Sequence, residues 1–167
     1  MAIREIVHYG HPALRKENQP VEEITAEVKE LVQDMLDTLH QAKGLGLAAP
    51  QVGVNLRIFI ADLSAIDFDA EALAVINPEI IERKGEVSGE EGCLSFPGLY
   101  FNVNRAEQIE MTFMDPDGNK HRIKAYGMTA RVLQHEYDHL DATLYIDHLS
   151  AAERDLFAGK LKKIKVG

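Results

Sequence analysis

The order of segments predicts an α+β fold: antiparallel sheets packed around a central helix, with a core helix before them and a helix after. Three observations carry this. Residues 25–43 repeat apolar side chains at steps of three and four, the period of one helical face. Residues 108–125 instead hold an alternating run, a turn and a second short run, the pattern of a hairpin. From Gly127 onward the reading returns to helix, twice. Strands grouped between helices, rather than alternating with them, argue for α+β. With 167 residues the chain suits a single domain, 1–167. Repeats, low-complexity tracts and linkers are absent.

In order, His8-Tyr9-Gly10-His11-Pro12 reads as a turn into a short helix, Pro12 taking an early helical position. Residues 21–24 are a connector. The first long helix carries Val28, Leu31, Val32, Met35, Leu36 and Leu39 on one face. Thr25 is its expected N-cap and Gly44 its expected stop. Leu56 to Ala61 reads as a strand, as does Leu73 to Ile76 before Asn77-Pro78. Residues 64–71 read as an exposed loop. Ile80 to Arg83 and Gly85 to Ser88 are expected to pair with each other. In the hairpin, Ile109, Met111 and Phe113 share a face, and Asp115-Pro116-Asp117-Gly118 has Pro and Gly where a turn needs them. The second strand is His121 to Ala125. The central helix begins at Gly127 and ends near Asp141, which is expected to adopt the left-handed conformation that Asp tolerates better than Ala142. Ser150-Ala-Ala-Glu153 is a capping box opening the last helix, which carries Leu156, Phe157, Leu161 and Ile164, with Lys160, Lys162, Lys163 and Lys165 in its final turns.

Composition bounds the function. Hydrophobic residues make up 46% and charged residues 27%, ordinary for a globular protein. A net charge of −9 argues against DNA as a partner, which needs a basic face. Met1 to Glu5 carry no apolar signal segment, and no apolar run approaches the ~20 residues of a membrane span. One cysteine rules out an intramolecular disulfide, and a reducing, cytoplasmic setting is expected.

The chemistry is concentrated in Gln-His-Glu-Tyr-Asp-His at 134–139. His135 and His139 lie one helical turn apart on one face. Two imidazoles so placed can bind one metal ion, with Glu136 beside it as a proton acceptor. The alternative is a surface helix with two solvated histidines. The apolar flanks Ala130, Val132, Leu133 and Leu140 run the helix into a core, where an unpaired polar cluster would cost about 2–7 kcal/mol per group. A catalytic site of this kind needs a third protein ligand. Peptidases that place a third His six residues on would need it at Tyr145, with Gly at Ala142. Those that use a more distant Glu have only Glu153, which is too close. The third ligand therefore lies upstream.

The upstream segment Glu90-Glu91-Gly92-Cys93-Leu94-Ser95 holds the one cysteine. Gly92 permits close approach, and a thiol so presented can bind a divalent ion as thiolate. Gly44-Leu45-Gly46-Leu47-Ala48-Ala49-Pro50-Gln51 matches no phosphate-binding fingerprint. Its small residues allow something to approach the backbone, with the Gln51 amide as a donor. Read alone, it is better taken as a tight helix-to-strand turn.

G-L-G-L-A-A-P-Q at 44–51, E-G-C-L-S at 91–95 and Q-H-E-Y-D-H at 134–139 together resemble, in order, the three signature motifs of peptide deformylases. The resemblance covers nearly the whole chain. It implies an α+β fold with antiparallel sheets around the histidine-bearing helix. The implied activity is removal of the formyl group from the N-terminal formyl-methionine of nascent chains. By the same resemblance Cys93, His135 and His139 are the metal ligands and Glu136 the general acid and base. Gln51 and the Leu94 backbone N–H become oxyanion donors, and Gly46 lines the site. Leu45 and Gly89 fall where the family pairs with the substrate backbone, and Met128 and Val132 where it holds methionine. The implied metal is Fe(II), with Zn(II), Ni(II) or Co(II) as substitutes. The lysines of the last helix match the kind of basic extension by which the family docks on the ribosome. The rival readings are a metallopeptidase with the same ligands and a non-catalytic binding member of the fold. The family pattern has Gly where this chain has Ala142.

Overall fold

The computed structural model describes residues 2–65 and 71–164; most of the expected exposed loop and Lys165 lie outside them. The order is α1 (Ala26–Ala42), β1 (Gly46–Ala48), β2 (Ile58–Asp62), β3 (Ala72–Lys84), β4 (Val87–Gly92), β5 (Tyr100–Arg105), β6 (Gln108–Met114), β7 (Lys120–Tyr126), α2 (Gly127–Leu140) and α3 (Ala151–Lys162). Five strands form one antiparallel sheet in the order β1-β2-β3-β6-β7, while β4 and β5 pair in a second. This is the expected α+β architecture.

The large sheet lies between α1 and α2. Val28, Leu31, Val32, Met35 and Leu39 of α1 cluster with Leu47, Ile58, Ile60 and Ile76. On the other face Ala130, Leu133 and Leu140 of α2 cluster with Phe59, Ala61, Val75, Ile109, Met111 and Phe113. Strand β2 is covered on both faces, so its sequence is a continuous apolar run instead of an alternation. Strand β6 alternates more visibly, Ile109, Met111 and Phe113 joining the α2 cluster. Met35 and Leu39 are wholly buried, and cutting such a side chain to alanine typically costs about 2–5 kcal/mol. A third cluster, with Phe96, Phe101, Val103, Tyr145 and Leu161, joins the small sheet to the C-terminal residues.

The caps follow the expected chemistry at two N-termini. The Thr25 hydroxyl accepts from Val28 N–H, and Ser150 and Glu153 form a reciprocal box. Four expectations need correction. Helix α1 turns out of its helix at Lys43 (φ 57), not Gly44. Gly44 is needed for space: a Cβ there would come within 2.9 Å of Leu94 and 3.0 Å of Leu39. Strand β3 does not stop at Asn77-Pro78. It passes through them with a register shift, and Asn77 (φ 50) exchanges side-chain hydrogen bonds of 2.8 Å with the Val21 backbone in both directions. Ile80 to Arg83 pairs with β6 and not with residues 85–88. Gly85 (φ 71) redirects the chain, and β4 pairs with β5 instead.

The fourth correction is the exit of α2. Ala142, not Asp141, takes the left-handed conformation (φ 56 against −99). Ala142 N–H donates to His139 O and Thr143 N–H to Asp138 O, the paired bonds of a Schellman exit with Ala142 at the position that prefers glycine. Asp141 is not free to make that turn. Arg57 binds both its carboxylate (3.0 Å) and the Leu140 carbonyl (2.9 Å), and Asn18 donates to the carbonyls of His139 and Leu140. None of the described helices is long and apolar enough to cross a membrane.

Candidate metal centre

Helix α2 places His135 and His139 one turn apart and inward, with their rings 5.1 Å apart and nearly edge-on. Cys93 follows the last residue of β4. Gly92 precedes it because a Cβ there would come within 2.7 Å of the Tyr100 ring. The Cys93 sulfur is 3.5 Å from His139 Nε2, and one donor atom each from Cys93, His135 and His139 fall within 4.8 Å of one another. No other such trio occurs among the described residues. Two imidazoles and one thiolate form a donor set suited to a divalent transition metal, with room for a non-protein ligand.

His135 is oriented by a carboxylate that sequence reasoning had given no role. Its Nδ1 donates to Glu91 Oε1 at 2.9 Å, which leaves Nε2 to face the cysteine. Arg105 binds both oxygens of Glu91 as a fork at 2.9 Å, and Arg131 adds a third contact at 2.6 Å. Burial opposes its charge, but Arg105 and His135 hold the Glu91 carboxyl well below the usual carboxylate range. Arg105 also binds Asp138, which binds His148. The signal for Glu91 was its place two residues before the cysteine; its partners come from β5 and α2. Tyr145, at the position where some peptidases place a third His, meets the His135 ring in a T-shaped contact.

Burial opposes charging His135, yet hydrogen bonding to Cys93 and Glu91 raises its pKa well above the ordinary value. His139 is pushed well below by burial and by the neighbouring His135. Its Nδ1 is buried without a hydrogen-bond partner.

Glu136 is 4% exposed, and its Oε1 is buried with no hydrogen-bond partner. Burial pushes its carboxyl up to about 7. A buried polar atom left unpaired calls for a functional reason. Gly46 lies against this carboxylate so closely that a Cβ would be 2.6 Å from Oε2. Gln51, in a 3-10 turn at Ala49–Val52, accepts from Ala48 N–H with Oε1 and turns its amide nitrogen to Ser95 Oγ (3.1 Å) and Cys93 (3.5 Å).

These residues open onto a cavity of about 460 Å³. Leu45, Gly46, Gln51, Cys93, Leu94, Met128, Val132, His135 and Glu136 all line it. His139 lies behind the cysteine and is 1% exposed. Gly89 is not on the cavity wall; a Cβ there would meet the Arg131 guanidinium at 3.0 Å, and Arg131 donates to its carbonyl.

Comparison with known proteins agrees over almost the whole chain. A family model described as polypeptide deformylase matches residues 3–155. A peptide deformylase of Endomicrobium trichonymphae is 48% identical over 166 residues, covering 99% of this chain and 97% of the relative. That of Alkalilimnicola ehrlichii is 44% identical over 164 residues, covering 98% and 92%. The crystal structure of a peptide deformylase from Legionella pneumophila superposes with a TM-score of 0.90 at 41% identity, covering 97% of this chain and 95% of that one. The Thermotoga maritima enzyme gives 0.85 at 37%, covering 90% and 99%. With the cysteine, the two histidines and the buried glutamate brought to one cavity, and with matches of this extent, the chain belongs to the polypeptide deformylase family.

Proposed function

We propose that this chain hydrolyses the formyl group from the N-terminal formyl-methionine of newly made polypeptides, releasing formate, at one metal ion held by Cys93, His135 and His139. The observation that carries the reading is the meeting of these three donors within 4.8 Å, beside a buried carboxylate with an unpaired oxygen. A bound divalent ion would supply a Lewis acid for the formyl oxygen and lower the pKa of water toward neutrality. Glu136 takes the proton of the attacking water and later delivers it to the departing amine. Oxygen attacks the formyl carbon, the C–N bond breaks, and formate and a free amino terminus result.

Gln51 and the Leu94 N–H receive the negative charge that grows on the formyl oxygen; one such donor is commonly worth about 3–4 kcal/mol. Gly46 leaves Glu136 and the formyl group without a side chain between them. Met128 and Val132 offer apolar wall to the methionine side chain. Leu45 and the region of Gly89 lie alongside the substrate backbone.

The ion is assigned as Fe(II), with Zn(II), Ni(II) or Co(II) able to replace it, since mixed nitrogen and sulfur ligands suit all four. The protein works in the cytoplasm on nascent chains. The lysines of α3, Lys160, Lys162 and Lys163 among the described residues, give an otherwise acidic chain a basic end for the ribosome. The test is anaerobic purification with metal analysis, then formate release from formyl-Met peptides. Stoichiometric metal without formate release would overturn the reading. Co-sedimentation with ribosomes that does not weaken with salt, or with removal of residues 160–167, would overturn the docking.

A further inference from the structure

Gln51 is held by groups that leave its carboxamide one orientation. Oε1 accepts from Ala48 N–H at 2.9 Å, so the nitrogen points the other way, 3.1 Å from Ser95 Oγ and 3.5 Å from Cys93 Sγ. Ser95 is wholly buried and does not line the cavity. Its single proton is donated to the Val7 carbonyl at 2.7 Å, so toward Gln51 it can only accept. Turning the amide over would set Oε1 against an oxygen with no proton to give, and the NH₂ against the Ala48 N–H. The frame beneath is fixed as well. Val7 N–H donates to Gln51 O at 2.8 Å and Tyr9 N–H to Ser95 O at 2.9 Å, while the Tyr9 ring stacks on Phe96.

We infer that Ser95 is a positioning residue for the reaction: by accepting one N–H of Gln51 and anchoring to Val7, it keeps the other N–H turned into the metal centre. This rests on the oxyanion role given to Gln51 above. A glutamine side chain has three torsions to order, and a donor helps most when it is already aimed before charge develops. Ser95 touches neither the cavity nor the reacting atoms, so its effect reaches the reaction through Gln51.

The experiment is a cycle of Ser95→Ala, Gln51→Ala and the double variant, assayed on a formyl-Met peptide with metal content matched. Gln51→Ala should lower kcat about 10²-fold and Ser95→Ala about tenfold, with KM within about twofold of wild type. The double variant should be no slower than Gln51→Ala, and Ser95→Thr, which keeps the hydroxyl, should restore kcat. In the zinc-loaded wild-type protein, NMR of the Gln51 side chain should show an amide proton protected from exchange with solvent and displaced from the free-glutamine shift, both effects lost in Ser95→Ala. A wild-type kcat in Ser95→Ala overturns the inference, as does its full loss recurring on top of Gln51→Ala. Gln51 amide protons with free-glutamine shifts and no protection in the wild-type protein do the same, and need no variant to fold. Normal turnover by Gln51→Ala would instead sink the oxyanion role itself, a result distinct from any failure at Ser95.

Discussion

On the side of the large sheet, α2 sets Ala130, Leu133 and Leu140 into a cluster with Phe59, Val75, Ile109 and Met111. On its other side Arg131, His135 and Asp138 meet Glu91 and Arg105 in a buried network of ion pairs. Apolar contact is non-directional, so the first face holds the helix against the sheet and tolerates exchange among side chains of similar volume. The charged face is directional. Each of its members needs the others, because removing one partner leaves a buried charge uncompensated. One face makes α2 a buried helix; the other fixes which nitrogen of His135 faces Cys93. A site that must hold ligand atoms within a few tenths of an ångström needs the second kind of contact, even where it adds little to stability.

The largest expected effect separates proton transfer from ligand holding on the charged face. Glu136→Gln should bind metal nearly normally and lose at least about 10²-fold in turnover. Near-wild-type formate release at full metal occupancy would remove Glu136 from the mechanism.

Next comes Glu91→Ala, which strands Arg105 and Arg131 in the interior. It should destabilise by about 3–5 kcal/mol in denaturant titrations and weaken metal affinity by about 10–100-fold, as His135 loses its anchor. The matching change on the apolar face is graded: Leu133→Ala should cost about 2–5 kcal/mol, but Leu133→Met less than about 1.5. If Leu133→Met shifted metal affinity as much as Glu91→Ala does, the division of labour between the faces would be wrong.

The faces should also differ in pH response. Burial opposes charge on both Glu91 and Asp138. The Arg105 and His135 contacts of Glu91 and the His148 and Arg105 contacts of Asp138 outweigh it, and both pKa values lie below the ordinary carboxylate range. A depressed carboxylate pKa contributes stability that is present above the unfolded value, about 4, and is lost as pH falls through the folded one. Stability should therefore fall in acid below about pH 4, and Asp138→Asn should flatten the Asp138 share of that fall. Urea midpoints measured from pH 7 to pH 2 decide it; an unchanged slope in the variant would show that Asp138 contributes nothing.

The smallest effect lies where the two faces end. Ala142 occupies a left-handed position that glycine suits better, so Ala142→Gly should stabilise by up to about 1 kcal/mol with unchanged turnover. A large rate change would mean that this exit governs the ligand geometry of His139.

What the sequence determined by itself is the information carried by near neighbours along the chain. The three- and four-residue steps of α1, the caps at Thr25 and Ser150, the Asp115–Gly118 turn and the one-turn spacing of His135 and His139 are all set within a few residues. The three motifs hold Gln51, Cys93, His135 and Glu136, which meet at the cavity, but not Met128 and Val132, which also line it. Tertiary structure decided whatever needed a distant partner. Strand β5 is hard to read because its inward positions include a charged residue, Arg105, which is buried against Glu91 and Asp138. The strand through Asn77 depends on Val21, 56 residues away, to take up its bulge. The exit of α2 passes to Ala142 because Arg57 and Asn18 pin the residues before it. Glu91 and His135 are 44 residues apart. Helix periods, caps and turns are short-range and can be read locally, whereas the orientation of a buried charge is chosen by whichever opposite charge the fold brings to it.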